Sequence, residues 1–368
     1  MAFLDRLKSH GKTPAPNDLG SKILRDDKAL RSKLQETNKK IPRYLFRMWH
    51  AGSGGNKKLN TTERITPLAF NEKTCHKSVY DMSAHEFVDN TRSHLYGDRV
   101  ATEFSSWSAS PRFVLHYATH ERKDAYIAII DTLGLRRDNK NDMFYVPTLA
   151  PIFDNLGLAR VPNYSAYDWE FLVHGVVEGR HYKAVSFKSL CDAGLVDYLP
   201  TLETYVDAWG TDRLALPTPI APFSKAELED LDGIAKLFGP PSSMRSAIFI
   251  ALFCCKKRAG FGNKLKEHEL KEIVQYLGGR VNIPHDWSDS LLLCSSMPDL
   301  CYEDNRQMVN VMRALSTYCW GRGARARFAK GVDVSTPDAV TDSPLGEMSL
   351  VDIERPVKPG AGNVAGRE

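Results

Sequence analysis

Apolar positions follow two regimes along this chain. Between residues 41 and 199 they alternate or run in short blocks, which predicts strands. The segment IPRYLFRMWH at 41–50 reads as a strand opened by Pro42 near an edge. Residues 100–108 read as a second strand, and Ser110-Pro111 then supplies an N-cap and a first helical position. Val114, Tyr117 and Ala118 fall on one face of the helix that follows. AYIAIIDT at 125–132 is a buried strand, WEFLVHGVV at 169–177 another, and 184–187 a short third. Asp81-Met82-Ser83 leads into a helix that runs through His94. From residue 224 the period changes. Ser224-Lys225-Ala226-Glu227 is a capping-box pattern, and helical spacing recurs at 225–238, 243–257, 267–277 and 304–319. Upstream, Ile23, Leu24, Leu30 and Leu34 give 21–35 the spacing of a short amphipathic helix in a mobile arm.

These regimes predict an α+β protein in five parts. They are a basic N-terminal arm (1–40), an α+β domain (41–200), a linker (201–223), a small all-helical domain (224–331) and a disordered tail (332–368). Pro217, Pro219 and Pro222 mark the linker. The tail is rich in Pro, Gly, Asp and Val without periodicity. No internal repeat is visible.

Composition narrows the class. With 42% hydrophobic and 26% charged residues in 368, the chain is neither mainly disordered nor a polytopic membrane protein. The longest apolar run, 247–255, falls well short of the roughly 20 residues that span a bilayer. The net charge of +4 is unevenly placed. Residues 1–43 hold eleven Lys or Arg against five Asp or Glu, a net of +6, so the remainder nets −2. Nucleic-acid binding therefore rests only on the arm or on the basic stretch at 322–327, whose simpler reading is a solvated helix end. Seven cysteines form no C-x-x-C pair, which argues against structural zinc. The start MAFLDRLKSHGK lacks the apolar core of a secretory signal. Reduced thiols in the cytoplasm or nucleus, and no membrane association, are the expectation.

The candidate chemistry lies in three segments taken in order: LFRMW around Arg47, SWSASPRFVLHYA from Ser106, and YDWEFLVHG around Glu170. Their arrangement resembles the Arg, Ser-x-Ser, Glu pattern of mono-ADP-ribosyltransferases of the cholera-toxin and pierisin type. In that family an Arg ends the first strand, and a Ser-Thr-Ser strand leads into a helix. Another strand follows, often with an Asn-Asp segment after it, and an acidic-x-Glu motif opens a later strand. Ser106-Trp107-Ser108, Ile129-Ile130-Asp131-Thr132, Asn141-Asp142 and Asp168-Trp169-Glu170 stand at the matching places. The resemblance covers about 41–200 and implies an ADP-ribosyltransferase-like split β-sandwich with flanking helices. The motifs "P-R-Y-L-F-R-x-W-H" and "F-S-S-W-S-A-S-P" also resemble an uncharacterised family of fungal domains.

What the resemblance implies is a glycosyl transfer that uses NAD as substrate and a macromolecular acceptor. Cleavage of the nicotinamide–ribose bond passes through an oxocarbenium-like sugar, which a carboxylate stabilises. Glu170 takes that role, and Ser106, or failing it Ser108, orients the Glu or the ribose. Arg47 grips the diphosphate by charge-assisted bonds, and Asp168 meets the acceptor. Trp107, Tyr164, Tyr167 and Trp169 are candidates to stack on nicotinamide or acceptor. Trp107 replaces the usual small Thr, and Asp168 replaces Glu or Gln. These departures sustain an alternative: an inactive domain of the same fold that serves as a protein-interaction module, with the C-terminal helices as the partner surface.

Other polar landmarks have plainer readings. His50, His116 and His174 match no zinc spacing and read as structural or exposed. Gly52-Ser53-Gly54-Gly55 lacks the Gly-Lys-Ser/Thr ending of a P-loop and reads as a turn. Cys254-Cys255 lies in an apolar run and reads as core.

Overall fold

The computed structural model describes residues 22–38, 41–53, 56–71, 77–97, 101–120, 124–155, 170–204, 220–262, 264–289, 302–322 and 324. Asp168, Tyr167, Tyr164 and Trp169 lie outside this set, as do residues 1–21, most of the linker and the whole tail.

The strands are β1 (Tyr44–Trp49), β2 (Arg64–Ile65), β3 (Phe104–Ser108), β4 (Tyr126–Asp131), β5 (Met143–Tyr145), β6 (Glu170–His174), β7 (Val177–Glu178) and β8 (Tyr182–Ser186). Six of them form an antiparallel sheet in the order β5-β6-β3-β1-β4-β8, and β2 pairs with β7 in a two-stranded one. The helices of the first half are α1 (Lys28–Asn38), α2 (Asn56–Leu59), α3 (Ala84–Tyr96), α4 (Pro111–His120), α5 (Thr132–Asp138) and α6 (Val146–Asn155). After the sheet come α7 (Phe187–Asp192), α8 (Leu195–Tyr198), α9 (Thr201–Thr204), α10 (Lys225–Ala235), α11 (Ser243–Phe253), α12 (Glu267–Tyr276) and α13 (Glu303–Trp320). The class is α+β.

Side-chain alternation divides the sheet into two faces. Leu45, Trp49, Trp107, Ala128, Ile130, Phe171 and Val173 point to one of them, where Ile65 of β2, Val177 of β7 and Leu135 of α5 complete a core. The other face carries two separate apolar clusters. Over β5, β6 and the start of β3, Phe104, Phe144 and Leu172 pack with Phe87 of α3, Leu34 of α1 and Phe153 of α6. Over β1 and β4, Tyr44, Phe46, Met48, Ile127 and Ile129 pack with Leu115 of α4 and with α10, α11, α12 and α13. The C-terminal helices thus share one apolar core with the sheet. The N-terminal segment is likewise docked: Leu24, Leu30 and Leu34 are buried, and the Leu24 amide donates to the Met82 carbonyl at 2.8 Å.

The sheet is not evenly zipped. β1 runs beside β4 for six register pairs, Tyr44↔Asp131 to Trp49↔Tyr126, and β3 beside β6 for five. β1 meets β3 at one, Phe46↔Ser108. Beyond that vertex the two central strands diverge, and the sheet has a split along its middle.

Candidate functional site at the split in the sheet

Arg47 follows Phe46 and so stands one residue past the vertex. Alternation directs it to the face of Leu45 and Trp49, but its Nη1 reaches across the split and donates to the Ser106 carbonyl at 2.6 Å. A guanidinium thus occupies a place that a strand amide would fill in a closed ladder. Its Nε is buried and bonds to none of the described residues. Burial weakens the hold of Arg47 on its proton, while the charges of Tyr182 and Glu170 oppose that.

Ser106 and Glu170 lie on the same face of the sheet. The pairs Ser106↔Leu172 and Ser108↔Glu170 make them diagonal neighbours across β3 and β6. The Ser106 hydroxyl donates to Glu170 Oε1 in a short hydrogen bond. Both residues are partly buried, and they occupy the polar seam between the two apolar clusters on that face. Burial raises the Glu170 carboxyl from its ordinary value to about 6, against the lowering effects of the Ser106 bond and the Arg47 charge.

His94 is the participant that sequence reading did not single out. It sits in the last turn of α3, which a Ser83–Glu86 capping box begins and Gly97, at φ 66°, ends. His94 Nδ1 lies 2.9 Å from Thr102 Oγ1, and Nε2 lies 2.8 Å from Ser106 Oγ. Since Ser106 gives its proton to Glu170, Nε2 must carry the hydrogen and Nδ1 must accept from Thr102. The result is a directed chain, Thr102 to His94 to Ser106 to Glu170. It requires a neutral imidazole. Burial first, and then the Arg47 charge, push the His94 pKa down to about 3. This polarity is the reverse of a serine nucleophile with its base: His94 donates to Ser106 and withdraws no proton from it.

The other sequence candidates fall differently. Trp107 is not brought to the pair. It is buried on the opposite face, where its Nε1 donates to Ser105 Oγ at 2.9 Å and its ring meets Tyr182 edge-on at 6.4 Å. Ser108 sits opposite Glu170, and its hydroxyl accepts the Ser110 amide at 3.1 Å, so it shapes the turn into α4. His174 stands at the far end of β6, with Nε2 3.5 Å from Glu103 Oε2. His116 is buried on α4, and His50 accepts the Gly52 amide in the turn after β1. Among the described residues, no group of three or more His, Cys, Asp or Glu is placed to hold a metal ion. Also among them, no helix is long and apolar enough to cross a membrane.

Residues 40–180 match a family model described as a domain of unknown function (DUF7587). The matched segment contains Arg47, His94, Ser106 and Glu170. No curated protein and no solved structure gives a significant match to the chain.

Proposed function

We propose that the split in the sheet binds NAD, and that the protein is a mono-ADP-ribosyltransferase-like enzyme acting on a macromolecular acceptor. The observation that carries this reading is that Arg47, Ser106 and Glu170, from three different strands, are linked at the split: Arg47 ties to the Ser106 carbonyl, the Ser106 hydroxyl bonds Glu170, and the Arg47 charge acts on the Glu170 carboxyl. These are the residues at which the sequence resembles the Arg, Ser-x-Ser, Glu pattern. The fit to the substrate rests on Arg47: a buried guanidinium whose Nε has no partner among the described residues suits a diphosphate oxygen. Trp107 packs on the face opposite Ser106 and Glu170, so its indole does not crowd that pair.

The division of labour is the one the resemblance implies, applied to these residues. Arg47 holds the diphosphate. Glu170, oriented by Ser106, faces the ribose and stabilises the positive charge that develops there as the bond to nicotinamide breaks. The bonding electron pair leaves with nicotinamide. The acceptor nucleophile forms the new bond to the same ribose carbon, and its proton passes to solvent. His94 stays neutral and fixes the Ser106 rotamer, so the Glu170 carboxylate meets the substrate already oriented.

The test pairs binding with turnover. Calorimetry with NAD is expected to show binding that Arg47→Met weakens. Labelled NAD with cell extract is expected to give labelled macromolecule, and Glu170→Gln to lower that rate by about 10²- to 10⁴-fold, the range for loss of one positioned acid or base group. The rate should rise with pH through about 6 as Glu170 ionises. A protein that neither binds nor consumes NAD, with no effect of Glu170→Gln, overturns the proposal.

A further inference from the structure

The closed end of the split is held by a segment far away in sequence. Asp304, in the first turn of α13, is 3% exposed. Its Oδ2 accepts the Ser110 hydroxyl at 2.7 Å and the Arg112 amide at 3.0 Å, and its Oδ1 accepts the Asn305 amide at 2.8 Å. Arg112 is the second residue of α4, so a carboxylate from another helix satisfies one of the orphan amides at the α4 N-terminus. The Ser110 hydroxyl itself accepts the Phe113 amide at 3.0 Å, and the Ser110 amide bonds Ser108 Oγ at 3.1 Å. Asp304 therefore grips the turn that begins at Ser108, the residue paired with Phe46 at the vertex.

The same C-terminal segment grips the other strand of the vertex. Asp286 pairs with Arg43, just before β1, and Trp287 Nε1 donates to the Tyr44 hydroxyl at 3.1 Å. Residues 283–289 are in turn bonded to α13, by Ser316 Oγ to the His285 carbonyl at 2.7 Å and Trp320 Nε1 to the Ile283 carbonyl at 2.7 Å. One brace thus holds the start of β1 and the end of β3. In a sheet that closes with a single pair there, the backbone ladder cannot set the spacing of the two strands.

We propose that Asp304 is a positioning residue for the site: by holding the β3–α4 turn it sets where Ser106 stands relative to Arg47 and Glu170. The C-terminal helices are then a working part of the site. This inference rests on the reading of Arg47, His94, Ser106 and Glu170 as one site.

The experiment compares Asp304→Asn and Ser110→Ala with Ser110→Thr, which keeps the hydroxyl, and with Ile273→Ala, a core truncation in α12 remote from the turn. Nitrogen NMR of the His94 ring at neutral pH reads the geometry directly and needs no ligand. Wild type, Ser110→Thr and Ile273→Ala are expected to show a single neutral tautomer protonated at Nε2. Asp304→Asn and Ser110→Ala are expected to lose that signature as Ser106 shifts. NAD affinity, measured on the same samples, should weaken on the order of tenfold or more in those two variants, as a small misplacement at a site can. In Ile273→Ala it should stay close to wild type. A wild-type ring pattern in both Asp304→Asn and Ser110→Ala overturns the inference, as does its equal loss in Ile273→Ala. If Asp304→Asn does not fold, Ser110→Ala decides. Failure of wild type to bind NAD counts against the proposed function, while the ring pattern still decides the role of Asp304.

Discussion

Two buried arginines in this molecule live in opposite circumstances. Arg258 is fully provided for. It makes a two-pronged pair with Glu227, at 2.8 and 2.6 Å, and also donates to the Phe253 carbonyl, the Pro222 carbonyl and the Tyr198 hydroxyl. Its own amide donates to Gln307 Oε1 at 2.7 Å, so one residue ties α8, α10, the end of α11 and α13 together. Among the described residues the Arg47 side chain makes one bond, to a backbone carbonyl, and its buried Nε makes none. Burial works against the charge of both. At Arg258 the partners outweigh it and strengthen the hold on the proton; at Arg47 they do not. A saturated charge belongs to the architecture. An unsaturated one, beside a carboxyl raised to about 6 and an imidazole lowered to about 3, is the pattern by which a functional site is told from architecture.

Stability measurements can break that contrast. The largest effect is expected at Arg258. Arg258→Met leaves the buried Glu227 with Lys256, 3.5 Å away, in place of its two-pronged partner, and should cost about 3–5 kcal/mol in denaturant unfolding. A loss below about 1 kcal/mol there would mean that the network is ornamental.

Next in size is the acid response of His94. Its folded pKa lies below its unfolded value, so its contribution is complete above about 6.5 and drains away as pH falls toward 3. Each unit across that window removes about 1.4 kcal/mol, or about 3 kcal/mol over two units. His94→Gln should flatten the slope of stability against pH between about 6.5 and 4.5, read from denaturant midpoints at a series of pH values. An unchanged slope would refute the neutral imidazole.

Glu170 bears the opposite sign. Its folded pKa is raised, so ionising it costs the folded state stability as pH climbs from about 4.5 to about 6, and the penalty stays complete above that. Replacing it with Gln should therefore stabilise the protein by up to about 2 kcal/mol at pH 8 and by little at pH 4. A destabilised Glu170→Gln at pH 8 would place Glu170 with the architecture instead.

The smallest shift is expected at Arg47. Arg47→Met gives up one hydrogen bond and relieves an unsatisfied buried donor, so its net change should stay within about 1 kcal/mol. A loss as large as that of Arg258→Met would erase the distinction between the two arginines.

Much of this was legible in the sequence. The aromatic run around Arg47, the Ser-rich strand that ends at a Ser-Pro helix start, and the apolar strand beginning near Glu170 all lie where alternation predicts. Period-2 patterning carries face as well as element, which is why Phe171 and Glu170 separate across the sheet. Local rules cannot report on contacts between elements. His94 is an ordinary polar residue near a helix end until α3 packs against β3. Arg258 stands in a basic run, Lys256-Lys257-Arg258, and only the fold reveals which of the three is buried. Helix α6 escaped because Pro147 and Pro151 mask its periodicity. The split itself is a missing row of pairings, for which no residue pattern speaks.

That single pairing at Phe46↔Ser108 also has a mechanical meaning. Two plates joined by one rivet can swing about it without shearing the rows of bonds inside either plate. Widening the gap would cost the Arg47 tie to Ser106 and packing in the apolar core that both halves share on the Leu45 face, while the six pairs beside β4 and the five beside β6 stay intact.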